Sequence, residues 1–229
     1  MMSKYSMTLD MSSNNSQSLI LRNIKPNSKV LEFGPSNGYM TKYLKKELNC
    51  TVYIVEKDQD AGNEASQYAD QYLIGRYGDI EKYTWSFSWS NIEFDYIIFA
   101  DVLEHLYNPY NVLKAATNLL KKTGSILISI PNISHNSIII DLINNKFEYS
   151  DLGLLDNTHI RFFTRGSLLN MVKDANLYVH SEINTNCAIE HTEFKNNYND
   201  IDPAIANLLM QRADGDIYQF IWELKHEQK

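Results

Sequence analysis

Apolar and polar positions follow two different periods along this chain, and the switches between them mark out its elements. Runs in which nearly every residue is apolar or β-branched recur at 30–33, 51–55, 72–74, 94–99 and 125–130. This is the composition of parallel strands covered on both faces. Between the runs, apolar residues fall at helical spacing: Tyr39, Met40, Tyr43, Leu44 and Leu48 after the first, and Leu113, Ala116, Leu119 and Leu120 after the fourth. A more polar helix is predicted over 58–68. Asn108 and Pro109 supply an N-cap and a first-turn proline for the later helix, and Gly124 is its expected stop. Trp85, Phe87 and Trp89 nearly alternate, which suits an edge segment and a helix-packed loop equally.

Beyond Pro131 the alternation breaks. Residues 132–163 carry an apolar patch at 138–143, then Phe147, Tyr149 and the segment D-N-T-H-I-R-F-F at 156–163. An insertion at the C-terminal edge of a sheet is where a substrate cap sits. A helix from Thr164 to about Ala175, a strand at 178–183, a loop over 184–200, a helix at 203–212 and a last strand at 217–224 complete the pattern. The expected class is α/β, a Rossmann-like, mostly parallel sheet with helices on both faces and a helical and loop cap over its C-terminal edge.

Length and charge narrow the function. A chain of 229 residues suits one domain, 1–229, with 132–163 as the cap and 1–18 as a lid or a bland tail. No apolar run approaches the roughly 20 residues that cross a bilayer, and the polar stretch 1–17 lacks the apolar core of an export signal, so a cytoplasmic location is expected. Two isolated cysteines, Cys50 and Cys187, read as reduced thiols. A net charge of -7 with scattered basic residues disfavours nucleic acid, because phosphate contacts need a concentrated positive surface.

Candidate chemistry begins at V-L-E-F-G-P-S-N-G, residues 30–38. Strand, glycine turn and helix in succession bring backbone N–H groups and a helix start to a nucleotide-like ligand. Three acids stand in order: Glu32 inside the first strand, Glu56 at the end of the second and Asp79 just after the third. Glu56 is placed to accept hydrogen bonds from ribose hydroxyls, which fits NAD or S-adenosylmethionine. NAD calls for a middle glycine that this turn lacks, and Glu32 beside Glu56 would repel a pyrophosphate. A ligand with an amino group and a sulfonium suits the acids better. Asp79 is then expected to accept from the adenine amine while the Ile80 N–H meets a ring nitrogen.

The turn, the acid in V-E-K-D, G-D-I-E and F-D-Y-I-I-F-A-D-V-L-E-H-L together resemble the class I S-adenosylmethionine-dependent methyltransferases, especially the small-molecule group with its ubiquinone-pathway and sugar O-methyltransferases. The resemblance covers about residues 19–185. It implies seven strands with the last antiparallel, and a cofactor site of Glu32, Phe33, Gly34, Pro35, Gly38, Glu56, Lys57, Asp79, Ile80, Ala100 and Asp101. Ser36 stands where that family usually has a glycine.

Asp101, Glu104 and His105 have i, i+3, i+4 spacing, so one helical turn would put all three on one face where donor and acceptor meet. His105 is a candidate base or acceptor-orienting group, with Glu104 and His159 beside it; the alternative is that Glu104 and His105 merely shape the cofactor pocket. Resemblance to methyltransferases with an acid-x-x-Glu-His segment implies Mg²⁺ or Mn²⁺ on Asp101, Glu104, His105 and His159. Arg161 and Arg165 suit either an acceptor phosphate or carboxylate or surface ion pairs. H-I-R-F-F-T-R-G-S-L resembles bacterial surface-polysaccharide methyltransferases. The expected activity is O-methylation of a small polar acceptor such as a sugar or surface-glycan precursor, with N-methylation of a small amine or a non-catalytic cofactor-binding subunit as alternatives. A homodimer is compatible with all three.

Overall fold

The computed structural model describes residues 9–227, so the first eight residues of the expected lid or tail lie outside the described residues. In chain order the helices are α1 (Ser16–Arg22), α2 (Tyr39–Lys46), α3 (Gln59–Ala65), α4 (Thr84–Ser88), α5 (Pro109–Thr117), α6 (Asn136–Ile143), α7 (Arg165–Asp174) and α8 (Pro203–Met210). The strands are β1 (Lys29–Phe33), β2 (Thr51–Glu56), β3 (Gln71–Ile74), β4 (Phe94–Ala100), β5 (Leu120–Pro131), β6 (Leu177–Glu182), β7 (Thr185–Asn186) and β8 (Ile217–His226). They form one sheet in the order β3-β2-β1-β4-β5-β8-β6, with β7 paired to β8. The first five strands run parallel and β8 is antiparallel to its neighbours. The order reverses between β1 and β4, which opens a crevice at their C-terminal ends.

The expected fold class holds, with eight strands rather than seven. The eighth is the two-residue β7, too short to leave a periodicity in the sequence. Other differences are local. The helix expected to run to Gly124 ends at Thr117, whose hydroxyl bonds back to the Leu113 carbonyl, and pairing of Leu120 with Phe94 already starts β5. The Trp85–Phe87–Trp89 alternation belongs to α4: Trp85 and Trp89 are buried one helical turn apart, while Phe87 is 79% exposed.

Alternation along β1 splits the core in two. Leu31 and Phe33 face α4, α5 and α7 in one apolar cluster, and Val30 faces α1, α2 and α3 in another. Phe33 stacks on Phe99 at 4.5 Å and meets the edge of Trp85 at 4.8 Å. Next to Val30 on the second face sits Glu32, buried in mid-sheet, where its carboxylate accepts the Thr41 hydroxyl of α2 at 2.7 Å. Burial pushes its pKa up to about 7; the Thr41 bond opposes this and the nearby Glu56 adds to it.

Two predictions follow from this core. Truncating Phe33 to alanine leaves an aromatic-sized void and should cost about 3–5 kcal/mol in urea unfolding; a loss below about 1 kcal/mol would contradict the packing. Glu32 is raised above its unfolded value, so its favourable contribution is present at low pH and is lost as pH rises through about 7. Between about pH 5 and about pH 8 the wild type should lose on the order of 3 kcal/mol relative to Glu32→Gln. Stability profiles that stay parallel would rule this out.

Candidate active site

The turn after β1 is set by close backbone approach. Gly34, Ser36 and Gly38 all have positive φ, at 63°, 51° and 81°. A Cβ on Gly34 would lie 2.8 Å from Val102 Cγ2, and one on Gly38 would lie 2.6 Å from the Ala65 Cα. Neither position has room for a side chain. Ser36 adopts the left-handed conformation that a glycine would take without cost. Its N–H donates to Glu56 Oε2 at 3.0 Å, which holds it there.

Glu56 therefore does more than the sequence suggests. Its other oxygen accepts the Asp58 N–H at 2.8 Å, so one carboxylate ties the β1 turn to the β2 loop. Burial raises its pKa, with the two N–H donors opposing that shift. A carboxylate has about four lone-pair positions, so capacity remains for a ligand hydroxyl. Asp79 caps the turn at 80–82 through the Glu81 N–H and has Lys57 and Lys82 each at 3.7 Å. Ile80 is buried, and its carbonyl accepts the Trp85 indole N–H. Phe33 and Ala100 end β1 and β4 at this crevice, and Pro35 lies in the turn after β1; Ala100 pairs with Ser129.

At the end of β4 the three expected partners separate. Asp101 is left-handed at φ 55°, and Leu103–His105 form a single 3-10 turn rather than an α-helical one. The Asp101 carboxylate turns toward the sheet, with Oδ1 accepting the Ser129 hydroxyl at 2.8 Å and the Gln219 amide at 2.9 Å. Its Oδ2 accepts Ser16 at 3.3 Å and Gln17 at 3.5 Å. Burial raises its pKa against the Ser129 and Ser16 bonds. Asp101 thus stands outside the group formed by Glu104, His105 and His159, whose potential ligand atoms all lie within 4.8 Å of one another.

Glu104 is 1% exposed, and among the described residues neither of its side-chain oxygens has a hydrogen-bond donor. Burial drives its pKa well above the usual carboxyl range, and Asp101 and Asp156 push it further. His159 Nε2 lies 4.0 Å from Oε1. The His105 and His159 rings meet edge to face at 4.8 Å.

The cap brings His159 here through its backbone. Ile160 and Arg161 both donate N–H bonds to the Glu104 carbonyl at 3.0 Å. His159 Nδ1 lies 3.2 Å from the Leu154 carbonyl, and His105 Nδ1 lies 3.2 Å from the Thr158 carbonyl. A carbonyl only accepts, so a hydrogen bond in either contact has Nδ1–H as its donor; the Thr158 hydroxyl oxygen also lies 3.1 Å from His105 Nδ1. A carbonyl behind Nδ1 is the usual support of an imidazole that ligates through Nε2. Two imidazoles and one carboxylate match Mn²⁺ better than Mg²⁺, which favours all-oxygen shells.

Several participants were not found from the sequence. Ser129 and Gln219 come from strands distant in the chain and carry no local signal. Asp156 is buried and accepts both the N–H and the hydroxyl of Thr158; its Asp-x-Thr spacing is the pattern of a turn and was the available clue. Of the two arginines, Arg165 is engaged by Glu182 and Asp214, and Arg161 grips the Tyr107 carbonyl through Nε and Nη2.

Solved structures share this architecture. A SAM-dependent methyltransferase from Archaeoglobus fulgidus is 16% identical, with a TM-score of 0.62 over 92% of this chain and 94% of that one. An S-adenosylmethionine-dependent methyltransferase from Clostridium acetobutylicum is 15% identical, at 0.59 over 96% and 93%. Magnesium protoporphyrin IX methyltransferase from Synechocystis PCC 6803, solved with bound SAH, is 12% identical, at 0.58 over 93% and 80%. None of the curated protein sequences matches the chain. The sequence profile of the methyltransferase domain does match, over residues 13–182, and by that extent the chain belongs to the methyltransferase domain family.

Proposed function

We propose that this methyltransferase moves the methyl group of S-adenosylmethionine to a hydroxyl of a small polar acceptor, with Glu104, His105 and His159 as the acceptor-side machinery. The observation that carries the reading is the Glu104 carboxylate, buried without a donor among the described residues, beside two imidazoles whose Nδ1 atoms face carbonyls. An ionised carboxylate in such a place needs a cation or a proton. S-adenosylmethionine is the family's cofactor, and we assign its binding to the turn at 34–38, Glu32, Glu56, Asp79 and the Ile80 N–H.

Methyl transfer is an in-line displacement on a sulfonium, so the protein must align the partners and deal with one hydroxyl proton. A divalent cation held by Glu104, His105 and His159 supplies the Lewis acidity that makes that proton easier to remove. His105, the more exposed of the two imidazoles, faces the acceptor and orients its hydroxyl. His159, held by the Leu154 carbonyl, anchors the cap to the site. Asp101 and Asp156 keep the local field negative, which favours the cationic member of the site. The half-exposed rings of Phe147, Tyr149 and Phe162 touch one another on the cap, at 5.5 and 6.2 Å, and suit stacking on a sugar ring.

Among the described residues no helix is long and apolar enough to cross a membrane. The net charge of -7 supports a small molecule over a nucleic acid as acceptor.

On the donor side, Glu56→Ala should weaken S-adenosylmethionine binding at least roughly ten-fold by calorimetry, since both the ribose contact and the support of Ser36 are lost. Undiminished affinity would remove Glu56 from the site. On the acceptor side, wild type should take up one Mn²⁺ in a paramagnetic-resonance titration. Glu104→Gln and His159→Ala should not, while donor affinity is kept. In a screen of sugars and phenols with labelled methyl donor, His105→Ala should abolish transfer. Transfer that persists in a strong chelator would exclude the cation and leave the imidazole as base.

A further inference from the structure

We infer that Glu81 is a positioning residue for the acceptor side: its carboxylate seats the connection that follows His105 on the turn at 80–82, next to Asp79 and Ile80. Oε1 accepts the Asn108 N–H at 2.7 Å, and Oε2 accepts the Tyr107 N–H at 3.1 Å. From the other side, Arg161 of the cap donates to the Tyr107 carbonyl through Nη2 at 2.6 Å and Nε at 3.1 Å. Tyr107 and Asn108 are thus held between the turn after β3 and the cap. Leu106, between His105 and Tyr107, is buried in the core. The 3-10 turn that bears Glu104 and His105 therefore has a fixed exit.

Helix α5 has a cap of its own, so the two bonds serve another end. Asn108 caps it by accepting the Asn111 N–H at 3.2 Å, and Pro109 is its first residue. The N–H groups taken by Glu81 belong to residues 107 and 108, before that proline, so the carboxylate holds the connection into the helix. Glu81 is itself fixed. Its N–H donates to Asp79 Oδ1 at 3.2 Å, and the preceding Ile80 carbonyl accepts the indole N–H of the fully buried Trp85 at 2.8 Å. Two charge-assisted bonds from such a base tie the loop after β4 to the residues after β3. The inference rests on the donor role proposed above for Asp79 and the acceptor role proposed for His105; with those roles, one side chain sets the spacing between the two halves of the reaction.

The test reads the His105 ring by NMR, its signals assigned by their loss in His105→Ala, together with S-adenosylhomocysteine calorimetry and thermal melting. Glu81→Ala should shift or broaden the His105 ring signals and speed amide exchange at Tyr107 and Asn108, while the signals of the exposed His191 stay in place. Affinity for S-adenosylhomocysteine should be kept. In the acceptor screen, turnover should fall at least roughly ten-fold with the KM for the donor unchanged, as expected for a misplaced acceptor group. Glu81→Gln retains one acceptor oxygen and should fall in between. Asn108→Ala removes the side-chain cap of α5 but leaves the N–H that Glu81 holds, so it should lower the melting temperature and leave the His105 signals unmoved. Wild-type ring signals in both Glu81 variants would overturn the inference, as would the same shift in Asn108→Ala, which would mark a loosened helix start. The ring signals report where His105 sits whether or not it meets an acceptor, so undiminished transfer by His105→Ala would overturn only the acceptor reading.

Discussion

Everything at the ligand-facing edge of this sheet depends on how little space the chain leaves after β1. Gly34 lies against Val102 and Gly38 against Ala65, so the turn is clamped between the loop after β4 and the end of α3. That clamp fixes where the N–H groups of the turn point, and the Glu56 carboxylate completes it by holding Ser36 left-handed. β1 sits in the middle of the sheet with both faces covered, so an error in the turn would propagate to β2 and β4 at once. The price of the arrangement is two acids, Glu32 and Glu56, close enough that Glu56 adds to the upward shift of the buried Glu32 carboxyl.

A second layer is built on the first by a different device. The cap is stitched to the β4 loop through a single carbonyl, that of Glu104, which accepts two successive N–H groups from Ile160 and Arg161. The same residue therefore presents its main chain to the cap and its side chain to the histidines. Sequence-distant His105 and His159 become neighbours because the backbone between them has been fixed, while their own ring contacts only tune the orientation.

Most of the architecture was legible in the sequence because parallel strands covered on both faces must be almost wholly apolar. Five strands announced themselves that way, and the strands near 178–183 and 217–224 by completing the pattern after the cap; β7 did not, since two residues have no period. The turn could be read because its glycines obey a steric rule, and Glu56 could be read because its distance from the turn is set by the length of one βα unit. The helical grouping of Asp101, Glu104 and His105 could not be read correctly. Spacing alone assumes regular α-helix, whereas a left-handed Asp101 followed by a 3-10 turn sends its carboxylate toward Ser129 and Gln219. Ser16 and Gln17 were hidden for a similar reason: their contacts with Asp101 bring together positions 84 and more residues apart, and no local pattern records them.

The two N–H bonds from Ile160 and Arg161 to one carbonyl separate what must stay from what is free to vary. Residues 154–163 are pinned, and with them the histidine pair. The exposed stretch 142–149 just before them makes few such commitments and carries Leu142, Ile143, Phe147 and Tyr149 outward. New side chains there would change the rim of the opening without moving the histidine pair. A fold arranged in this way can exchange one acceptor for another over evolutionary time by rewriting a single loop.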